Sequence, residues 1–415
     1  MDFNPSPPTI MHVDLNSCFA TIEQQANPLI RGKPMVVAAY TTGRGCILAA
    51  SVEAKRLGIK TGMRVSEGKN LYPCLVVLPP DPEKYRWVNR KLRVLLSSYT
   101  PYLSVESIDE MVMDLAHAPR KDTISVANEI KLRIKQEIGE WLTVSIGIAP
   151  NRYLAKVASG LHKPDGLDVI TKENIEEILT GLRLEDLCGI KEGNAGRLRF
   201  MNIKTPVEFF RATAVALIRA LHSKTGWNWW QRLHGYETIP FDVPEQKTYG
   251  QSFALGTFRV SSDPELTKIM TQLIVKMGRR LRGAGFVAHG VSVSLLFGDY
   301  SHWVKNARRC EPLFADSDFL GEARRLLIQA PAKPIRILAV TSFLLTPRGT
   351  GQIGLWNMDE RKWKITDALD AIADRWGEFT VIPGRMLAME QKVLDRIAFG
   401  RVSELQKIDP FARTY

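Results

Sequence analysis

Three carboxylates occupy positions where predicted strands end or turn. Asp14 lies near the end of the apolar run 9–15, which is typical of a short buried strand, and Asp109 and Glu110 separate two apolar runs as in a tight hairpin. Antiparallel strands of one sheet can bring their ends together, so the three side chains could share one site. Clustered carboxylates repel one another unless cations compensate them, and oxygen ligands suit Mg2+. The pattern predicts a two-metal site for phosphoryl transfer, with metal ions about 3.5–4 Å apart.

A simpler interpretation applies to each acid by itself, because acids at strand ends are usually surface residues. Apolar residues on both sides of the Asp109–Glu110 pair, and before Asp14, favour instead a position at the edge of a core. His12, on the first predicted strand, is expected to be a satisfied core histidine and not a ligand.

The elements that must position these acids alternate between strands and helices, which predicts an α/β fold. A helix follows Asp14 directly. The further predicted strands are 34–40, 46–50, 142–148 and 167–170, and the further predicted helices are 52–57, 65–72, 82–98, 123–139 and 151–161. Together with the first strand and the hairpin they predict a ferredoxin-like sandwich with a small α/β insertion.

The second half of the chain changes character. Residues 172–234 have a wholly helical pattern, in which Trp227, Trp229 and Trp230 are expected to serve helix packing. Pro240 and Pro244 lie in a polar stretch that predicts an extended linker. Residues 252–345 then predict strand, helix, two strands, helix and strand, and an amphipathic helix is expected near 365–375.

Composition excludes several classes of protein. The chain has 415 residues, of which 45% are hydrophobic, so it suits a folded protein of roughly three domains and neither a disordered nor a collagen-like chain. Its five cysteines form no CxxC pair, which indicates neither a disulfide framework nor a zinc site. No apolar run approaches the length of a membrane span. We therefore expect a soluble, cytoplasmic protein.

The charge balance points to a polyanionic partner. Lys and Arg number 56 and Asp and Glu 44, a formal net charge of +12. Between Gln246 and Leu345 there are 14 Lys and Arg and 7 Asp and Glu, so more than half of the excess lies in a quarter of the chain. Nucleic acid is therefore the first partner to consider, although a run of basic residues is often only a solvated surface.

Five ordered motifs carry a family resemblance. They are VDLNSCFA at 13–20, SVEAKRLG at 51–58, VESIDE at 105–110, SIGIAPNRYLAKVAS at 145–159 and HKPDG at 162–166. In order and spacing they resemble the motifs of Y-family, lesion-bypass DNA polymerases, across residues 9 to about 345. The similarity extends to the polymerase IV and ultraviolet-mutagenesis branches of that family.

The resemblance implies a right-hand polymerase with an α/β multidomain fold. It predicts a ferredoxin-like palm at 1–17 and 81–170, small α/β fingers at 18–80 and a helical thumb with a helix-hairpin-helix at 171–238. A linker at 239–246, a βαββαβ little finger at 247–345 and a tail at 346–415 would follow. Primer–template DNA and dNTPs would be its partners, and we expect a monomer without membrane contact.

The resemblance also gives the carboxylates their roles. Asp14, Asp109 and Glu110 would be catalytic and would hold two Mg2+ ions, with the carbonyl of Leu15 as a further ligand. The primer 3′-hydroxyl would attack the α-phosphate of a dNTP and release pyrophosphate.

Nucleotide-binding residues follow from the same motifs. Backbone N–H groups around Ser17 and Cys18 would bind the phosphates, and Lys55 and Lys163 would add positive charge. Phe19 would be the steric gate that collides with a ribose 2′-hydroxyl; from the sequence alone it could equally be a core residue.

The sequence departs from the family pattern at two places. Where the family often has Tyr and Arg, this chain has Val52 and Lys55, which would leave one flexible ammonium for the triphosphate. Lys191 replaces the usual second glycine of the helix-hairpin-helix, which binds a DNA phosphate, so the hairpin could also serve packing alone.

Further DNA contacts are expected from the basic little finger. The segment from position 276 to position 309 contains seven basic residues and a single acidic residue, Asp299. The basic residues are Lys276, Arg279, Arg280, Arg282, Lys305, Arg308 and Arg309.

The tail contains a possible clamp-binding motif. Gln352, Leu355 and Trp356 resemble the pentapeptide that binds the sliding clamp, although the same residues could simply pack on the domain surface.

Two other functions stay open. A nucleotide cyclase would share the two-metal palm but needs no thumb. A catalytically inactive DNA- and clamp-binding paralogue would have no use for three mutually repelling carboxylates.

Overall fold

The computed structural model describes residues 3–118, 122–238, 247–349 and 358–387, with the backbone alone for 358–360. The described residues fall into two compact units, 3–238 and 247–387. The predicted linker 239–246 and the possible clamp-binding motif lie outside the described residues.

A five-stranded sheet forms the centre of the first unit. Its strands, in spatial order, are β5 (Leu103–Val105), β6 (Glu110–Asp114), β1 (Ile10–Leu15), β7 (Val144–Ala149) and β8 (Leu167–Val169). The central strand β1 pairs antiparallel with both β6 and β7, and β8 pairs parallel with β7. Every residue of β1 and β7 is buried, as expected for strands covered on both faces.

Helices cover both faces of this sheet. Helices α1 (Cys18–Ala26), α4 (Pro82–Ser97) and α5 (Thr123–Glu137) pack on the face that carries Met11 and Val13. Helix α6 (Arg152–Leu161) packs on the opposite face, where Ile10 and Val112 lie. Because successive strand residues alternate between faces, His12, Asp14 and Glu110 belong to the α6 face.

A smaller sheet follows α1 in the sequence. Strands β3 (Ile47–Ala50), β2 (Met35–Ala38) and β4 (Val76–Leu78) form it in that order, together with α2 (Val52–Arg56) and α3 (Val65–Leu71). These elements share a separate core that includes Val36, Ile47, Ile59 and Val65. The sequence predicts two of the three strands; β4 has only three residues before two prolines and is too short to show a pattern.

The rest of the first unit is helical, as predicted. It contains α7 (Ile175–Thr180), α8 (Glu192–Phe200), α9 (Pro206–Arg211), α10 (Ala214–Leu221), α11 (Thr225–Leu233) and a 3-10 turn at Leu184–Asp186. Trp229 and Trp230 are buried, and the more exposed Trp227 stacks on Trp230 with ring centroids 5.6 Å apart, so all three tryptophans take part in helix packing as predicted.

The second unit contains the predicted βαββαβ arrangement. Its elements are β9 (Thr248–Arg259), α12 (Pro264–Gly283), β10 (Phe286–Phe297), β11 (His302–Leu313), α13 (Asp316–Leu327) and β12 (Ile335–Pro347). The antiparallel sheet has the order β11-β10-β12-β9. The apolar stripe of α12 that the sequence indicates, Leu266 to Leu281, is buried on the sheet.

A further helix, α14 (Met358–Trp376), is ion-paired to α12 and is longer than the predicted 365–375. Trp363 stacks on Phe314 with ring centroids 4.5 Å apart. A 3-10 turn at Gly384–Met386 follows and buries Met386 completely. The last segment of the described chain is thus part of the second unit.

Two further observations concern the described residues. No helix there combines the length and apolar character needed to cross a bilayer. All five cysteines are free.

Gly147 on β7 lets α6 approach the sheet unusually closely. A Cβ atom at this position would lie 2.0 Å from the carbonyl oxygen of Ala155 and 2.2 Å from the amide nitrogen of Ser159. No side chain fits there, so the distance between α6 and the sheet depends on this glycine.

Gly147→Ala should therefore lower the free energy of unfolding by about 1–3 kcal/mol, because the helix must move away from the sheet. Urea unfolding measures the change. Gly160→Ala on α6 is the control, since its Cβ would meet open space and alanine favours helix by about 1 kcal/mol. Equal effects of the two substitutions would contradict the packing described above.

Candidate active site

The three predicted carboxylates meet at one end of two neighbouring strands. Asp14 on β1 lies directly opposite Glu110, the first residue of β6. The carbonyl of Asp109 accepts a hydrogen bond from the amide of Leu15 at 2.9 Å. The pairing of β1 with β6 therefore brings together acids that lie far apart in the sequence.

The hairpin turn that carries Asp109 is held from two sides. Asn89, a buried residue of α4, donates a hydrogen bond to the carbonyl of Ile108 at 2.8 Å. The hydroxyl of Ser107 donates to Oδ1 of Asp109 at 2.5 Å and accepts from the amide of Glu110 at 3.1 Å. These contacts fix the orientation of the Asp109 carboxylate.

Two lysines neutralise two of the three carboxylates. Lys163, in the turn after α6, places Nζ 2.5 Å from Oδ2 of Asp14. Lys156, on α6, places Nζ 2.6 Å from Oε2 of Glu110. Asp109 has the Ser107 hydroxyl as its hydrogen-bond donor in place of a lysine.

The pKa values of the adjacent acids move in opposite directions. Burial raises the pKa of Asp109; the Ser107 hydrogen bond opposes this rise, and the charges of Asp14 and Glu110 add to it. Burial alone would also raise the pKa of Glu110, but His12 and Lys156 lower it to about 2. The Glu110 carboxylate is thus stabilised in its anionic form. The anionic form of Asp109 would be stabilised by an additional cation.

Sequence reasoning missed Lys156 and the position of His12. His12 is buried as predicted, yet its Nε2 lies 3.7 Å from Oε2 of Glu110. A signal for Lys156 exists: Arg152, Lys156 and Ser159 recur at i, i+4 and i+7 on a helix whose other residues are mostly apolar. Such spacing predicts a polar stripe on one face.

The first turn of α1 forms the other side of the site. Ser17 is the N-cap of α1 in the left-handed conformation, with φ 51°. Its hydroxyl accepts a hydrogen bond from Nζ of Lys55 at 2.8 Å. Burial and the charge of Lys163 lower the pKa of Lys55, although Asp14 and Asp109 oppose this. Two ammonium groups that repel each other favour an anion between them.

All residues predicted to bind metal or nucleotide line a single cleft of about 550 Å3. These residues are Asp14, Leu15, Ser17, Cys18, Phe19, Lys55, Asp109, Glu110 and Lys163. Arg56 also lines the cleft beside Val52 and was not predicted. Besides Lys55 and Lys163, the cleft therefore offers a third cation, a guanidinium, next to position 55, where the family often has arginine.

Phe19 is a buried core residue that also lines the cleft. Its ring lines the cleft and is 3% exposed, stacked on Tyr85 with centroids 4.4 Å apart. The Tyr85 hydroxyl donates to Oε1 of Glu23 at 2.8 Å, and Lys84 binds Oε2 of the same carboxylate at 2.7 Å. The ring thus has a fixed position at the wall of the cleft.

The donor set fits a hard divalent cation. Within the described parts of the chain, no group of three or more His, Cys, Asp and Glu side chains forms a ready metal cage. Lys163 and Lys156 each contact one carboxylate oxygen of the cluster. Three carboxylates remain as hard oxygen donors, and burial with mutual repulsion at Asp109 favours added positive charge.

Four of the predicted DNA contacts are ion-paired within the second unit. Arg282 is bound by Asp316 at 2.8 Å and by Asp370 of α14 at 2.6 Å. The other pairs are Lys276 with Glu378, Arg279 with Asp374 and Glu378, and Arg309 with Glu322.

The DNA contacts predicted for α12 stay predictions, but three of its cations, Lys276, Arg279 and Arg282, are already paired with acids of the second unit. Lys276 and Arg282 are buried, because acids of the chain beyond position 366 cover them. The basic residues of α12 do not by themselves indicate these partners, because the acids lie about ninety residues later in the sequence, in α14 and just after it.

Arg308 differs from its neighbours because it lies on the sheet face without helices. It pairs with Gly290 in the sheet register, beside the partly exposed Ser292. Val291 and Val293, on the helix-covered face, are fully buried. Arg308 is exposed and has no ion pair among the residues that the structure describes.

The other predicted contacts have intermediate surroundings. Arg280 donates to the carbonyl of Gly250 at 3.2 Å, and Lys305 donates to Oε1 of Gln329 at 3.3 Å. Lys191 is exposed at the N-terminus of α8, after the 3-10 turn that takes the place of the first hairpin helix. Gln352, Leu355 and Trp356 lie outside the described residues.

Comparison with known proteins agrees with this arrangement. Residues 13–160 match the model of the impB/mucB/samB family, and residues 246–355 match the C-terminal domain of the same family. DNA polymerase IV 1 of Bacillus subtilis (strain 168) is 29% identical over 402 residues, 94% of this chain and 96% of the relative. DNA polymerase IV of Alkalilimnicola ehrlichii is 30% identical over 355 residues, 84% of this chain and 99% of the relative.

Solved structures show the same fold. A chimeric Y-family DNA polymerase superimposes with a TM-score of 0.71 at 22% identity, covering 82% of this chain and 99% of the chimera. An insertion ternary complex of Dbh DNA polymerase gives a TM-score of 0.58 at 22% identity, covering 80% and 98%. The fold is that of a right-hand polymerase. The chain belongs to the Y family of DNA polymerases, described in these models as the impB/mucB/samB family.

Proposed function

We propose that this chain copies DNA by two-metal phosphoryl transfer from a dNTP to a primer 3′-hydroxyl, including past damaged template positions. The observation that carries the proposal is one cleft lined by three carboxylates, two lysines and the N-terminus of α1. This set offers anionic oxygens for divalent ions beside cationic groups for a triphosphate. The relatives named DNA polymerase IV support the same reaction.

The carboxylates would hold the ions on one side of the cleft. Asp14, Asp109 and Glu110, with the carbonyl of Leu15, would supply the oxygen ligands. Bound divalent ions would activate the primer hydroxyl and offset charge on the triphosphate. Ser107 and Asn89 would keep the Asp109 carboxylate oriented while the nucleotide enters.

The opposite side of the cleft would bind the nucleotide. The N–H groups at Ser17 and Cys18 begin α1, where the helix dipole favours phosphate. Lys55, Lys163 and the unpredicted Arg56 would neutralise the triphosphate. Phe19 would pack against the sugar, so a ribose 2′-hydroxyl would collide with its ring.

The parts of the chain would correspond to the subdomains of a right-hand polymerase. The five-stranded sheet would be the palm, the three-stranded sheet the fingers, the helices 171–238 the thumb and the unit from 247 the little finger. The fingers core is small, which supports an open active site and tolerance of damaged templates.

Duplex binding would use the open sheet face of the second unit. Arg308 lies on this face, whereas Lys276, Arg279 and Arg282 are paired with acids on the helix side. Lys191 would approach a phosphate at the start of α8. Gln352, Leu355 and Trp356 would bind a sliding clamp, and the polymerase would act as a monomer.

An inactive paralogue has no support from the relatives, which are named as polymerases. A nucleotide cyclase would convert the triphosphate without a primer, so primer extension separates the two activities. Primer extension and cyclic nucleotide formation are both measured on the purified full chain.

Asp109→Ala should lower primer extension by about 100-fold or more, because the site loses an oxygen ligand for the ions. Binding of primer–template DNA should persist, since Asp109 contacts no duplex in this proposal. Gel-based extension with Mg2+ and fluorescence anisotropy measure the two effects. Asp114→Ala, at the far end of β6, is the control. An active Asp109→Ala enzyme would overturn the metal assignment.

Phe19→Ala should raise the ratio of ribonucleotide to deoxyribonucleotide insertion by about 10- to 100-fold, because the ring no longer excludes the 2′-hydroxyl. Phe19→Leu, which keeps more of the buried volume, should move the ratio in the same direction by less. Single-nucleotide insertion kinetics measure it. Tyr85→Phe retains the stacked ring and is the control. An unchanged ratio in both Phe19 variants counts against the gate.

Arg308→Ala should weaken DNA binding equally on all sequences and reduce the salt slope of log Kd by about one. Arg279→Ala should leave the slope unchanged, because its guanidinium is already paired with Asp374 and Glu378. Binding titrations at several salt concentrations measure both. A slope that falls for Arg279→Ala and not for Arg308→Ala would reverse the assignment of faces.

A further inference from the structure

Polar side chains of helix α6, Lys156 and Ser159, contact Glu110 and His12. Gly147, without a side chain, allows the backbone of α6 to lie against β7 at Ala155 and Ser159. Gly147 is also the register partner of His12 on β1. The close approach therefore places the polar stripe of α6 directly over the strand that carries His12 and Asp14.

The network has a defined order of contacts. Lys156 binds Oε2 of Glu110 at 2.6 Å, and His12 Nε2 lies 3.7 Å from the same oxygen. The hydroxyl of Ser159 lies 3.2 Å from Nδ1 of His12 and donates to the carbonyl of Lys156 at 2.9 Å. One carboxylate oxygen thus faces two nitrogen groups, both oriented by α6.

Lys156 and Lys163 differ in what they contact. Lys163 reaches Asp14 from the turn after α6, and its side chain lines the cleft. Lys156 lies behind Glu110, on the α6 side, and does not belong to the cleft lining. Its direct contact with the carboxylate cluster is the ion pair with Glu110.

We infer that Lys156 is a positioning residue that serves as the resident counter-ion of Glu110, with His12 and Ser159 holding the arrangement. The inference rests on the proposed function, because it assigns Glu110 to a divalent-ion site. Lys156 would hold the Glu110 carboxylate in a fixed orientation when no ion is bound, and would compete with an arriving ion for its Oε2.

Two consequences distinguish this role from packing. Removing the ammonium takes away a competing positive charge, so a divalent ion should bind the DNA-free protein more tightly. The freed carboxylate should also lose its orientation, so turnover should fall without a matching change in dNTP binding. A residue that serves packing alone would produce neither pattern.

The experiment measures Mn2+ binding to the DNA-free full chain by electron paramagnetic resonance, beside primer-extension kinetics. Lys156→Met should bind Mn2+ about 3- to 10-fold more tightly than the wild type. Its kcat should fall about 10-fold or more, with KM for dNTP changing less than about 3-fold. Lys156→Arg should restore both quantities, because it returns the positive charge.

Lys69→Met, which removes an exposed lysine outside the cleft lining, controls for net charge. Circular dichroism and the urea midpoint identify variants that fail to fold, and Lys156→Gln then provides the second neutral variant. If wild-type protein binds no Mn2+ and extends no primer, the proposed function itself fails. If the wild type does both, and folded Lys156→Met or Lys156→Gln binds Mn2+ no more tightly, the role of Lys156 is overturned.

Discussion

The mutual repulsion of Asp14, Asp109 and Glu110 is the constraint on which the rest of the site depends. Strand pairing forces Asp14 and Glu110 to be neighbours, and the turn adds Asp109 beside them. Lys163 and Lys156 offset two of these charges, and the third stays partly buried with a raised pKa. Within the described residues, only Asp109 among these acids lacks a lysine partner, so it is the carboxylate at which an added cation would relieve the most repulsion.

The surrounding structure serves to hold this cluster still. Two buried strands place the acids, Asn89 and Ser107 fix the turn, and the absence of a side chain at Gly147 brings α6 close enough to contribute Lys156. Helix α1 begins immediately after β1, the strand that carries Asp14. The carboxylates and the helix N-terminus proposed to bind phosphate are therefore adjacent because their elements are consecutive in the chain.

Much of this arrangement follows from sequence alone. Strand and helix patterns locate β1, the hairpin and the βαββαβ unit, and every residue predicted to bind metal or nucleotide lines the cleft. Unpredicted residues line it as well, among them Asn16, Arg56 and Thr61. The limits have physical causes: β4 is too short to show a period, and Lys156 looks like an ordinary helix surface residue until Gly147 places it against the sheet. Local charge density likewise gave no indication that Lys276, Arg279 and Arg282 are ion-paired, because their partners Asp370, Asp374 and Glu378 lie far along the chain, in α14 and just after it.

The most direct measurement is primer extension by the wild-type chain on undamaged and abasic templates, with Mg2+ present or removed by a chelator. A cleft that binds divalent ions beside a triphosphate should support template-directed addition on both templates with Mg2+ and on neither without it. Extension that proceeds equally well after chelation, or its absence on the undamaged template with Mg2+, would contradict the role assigned to the three carboxylates.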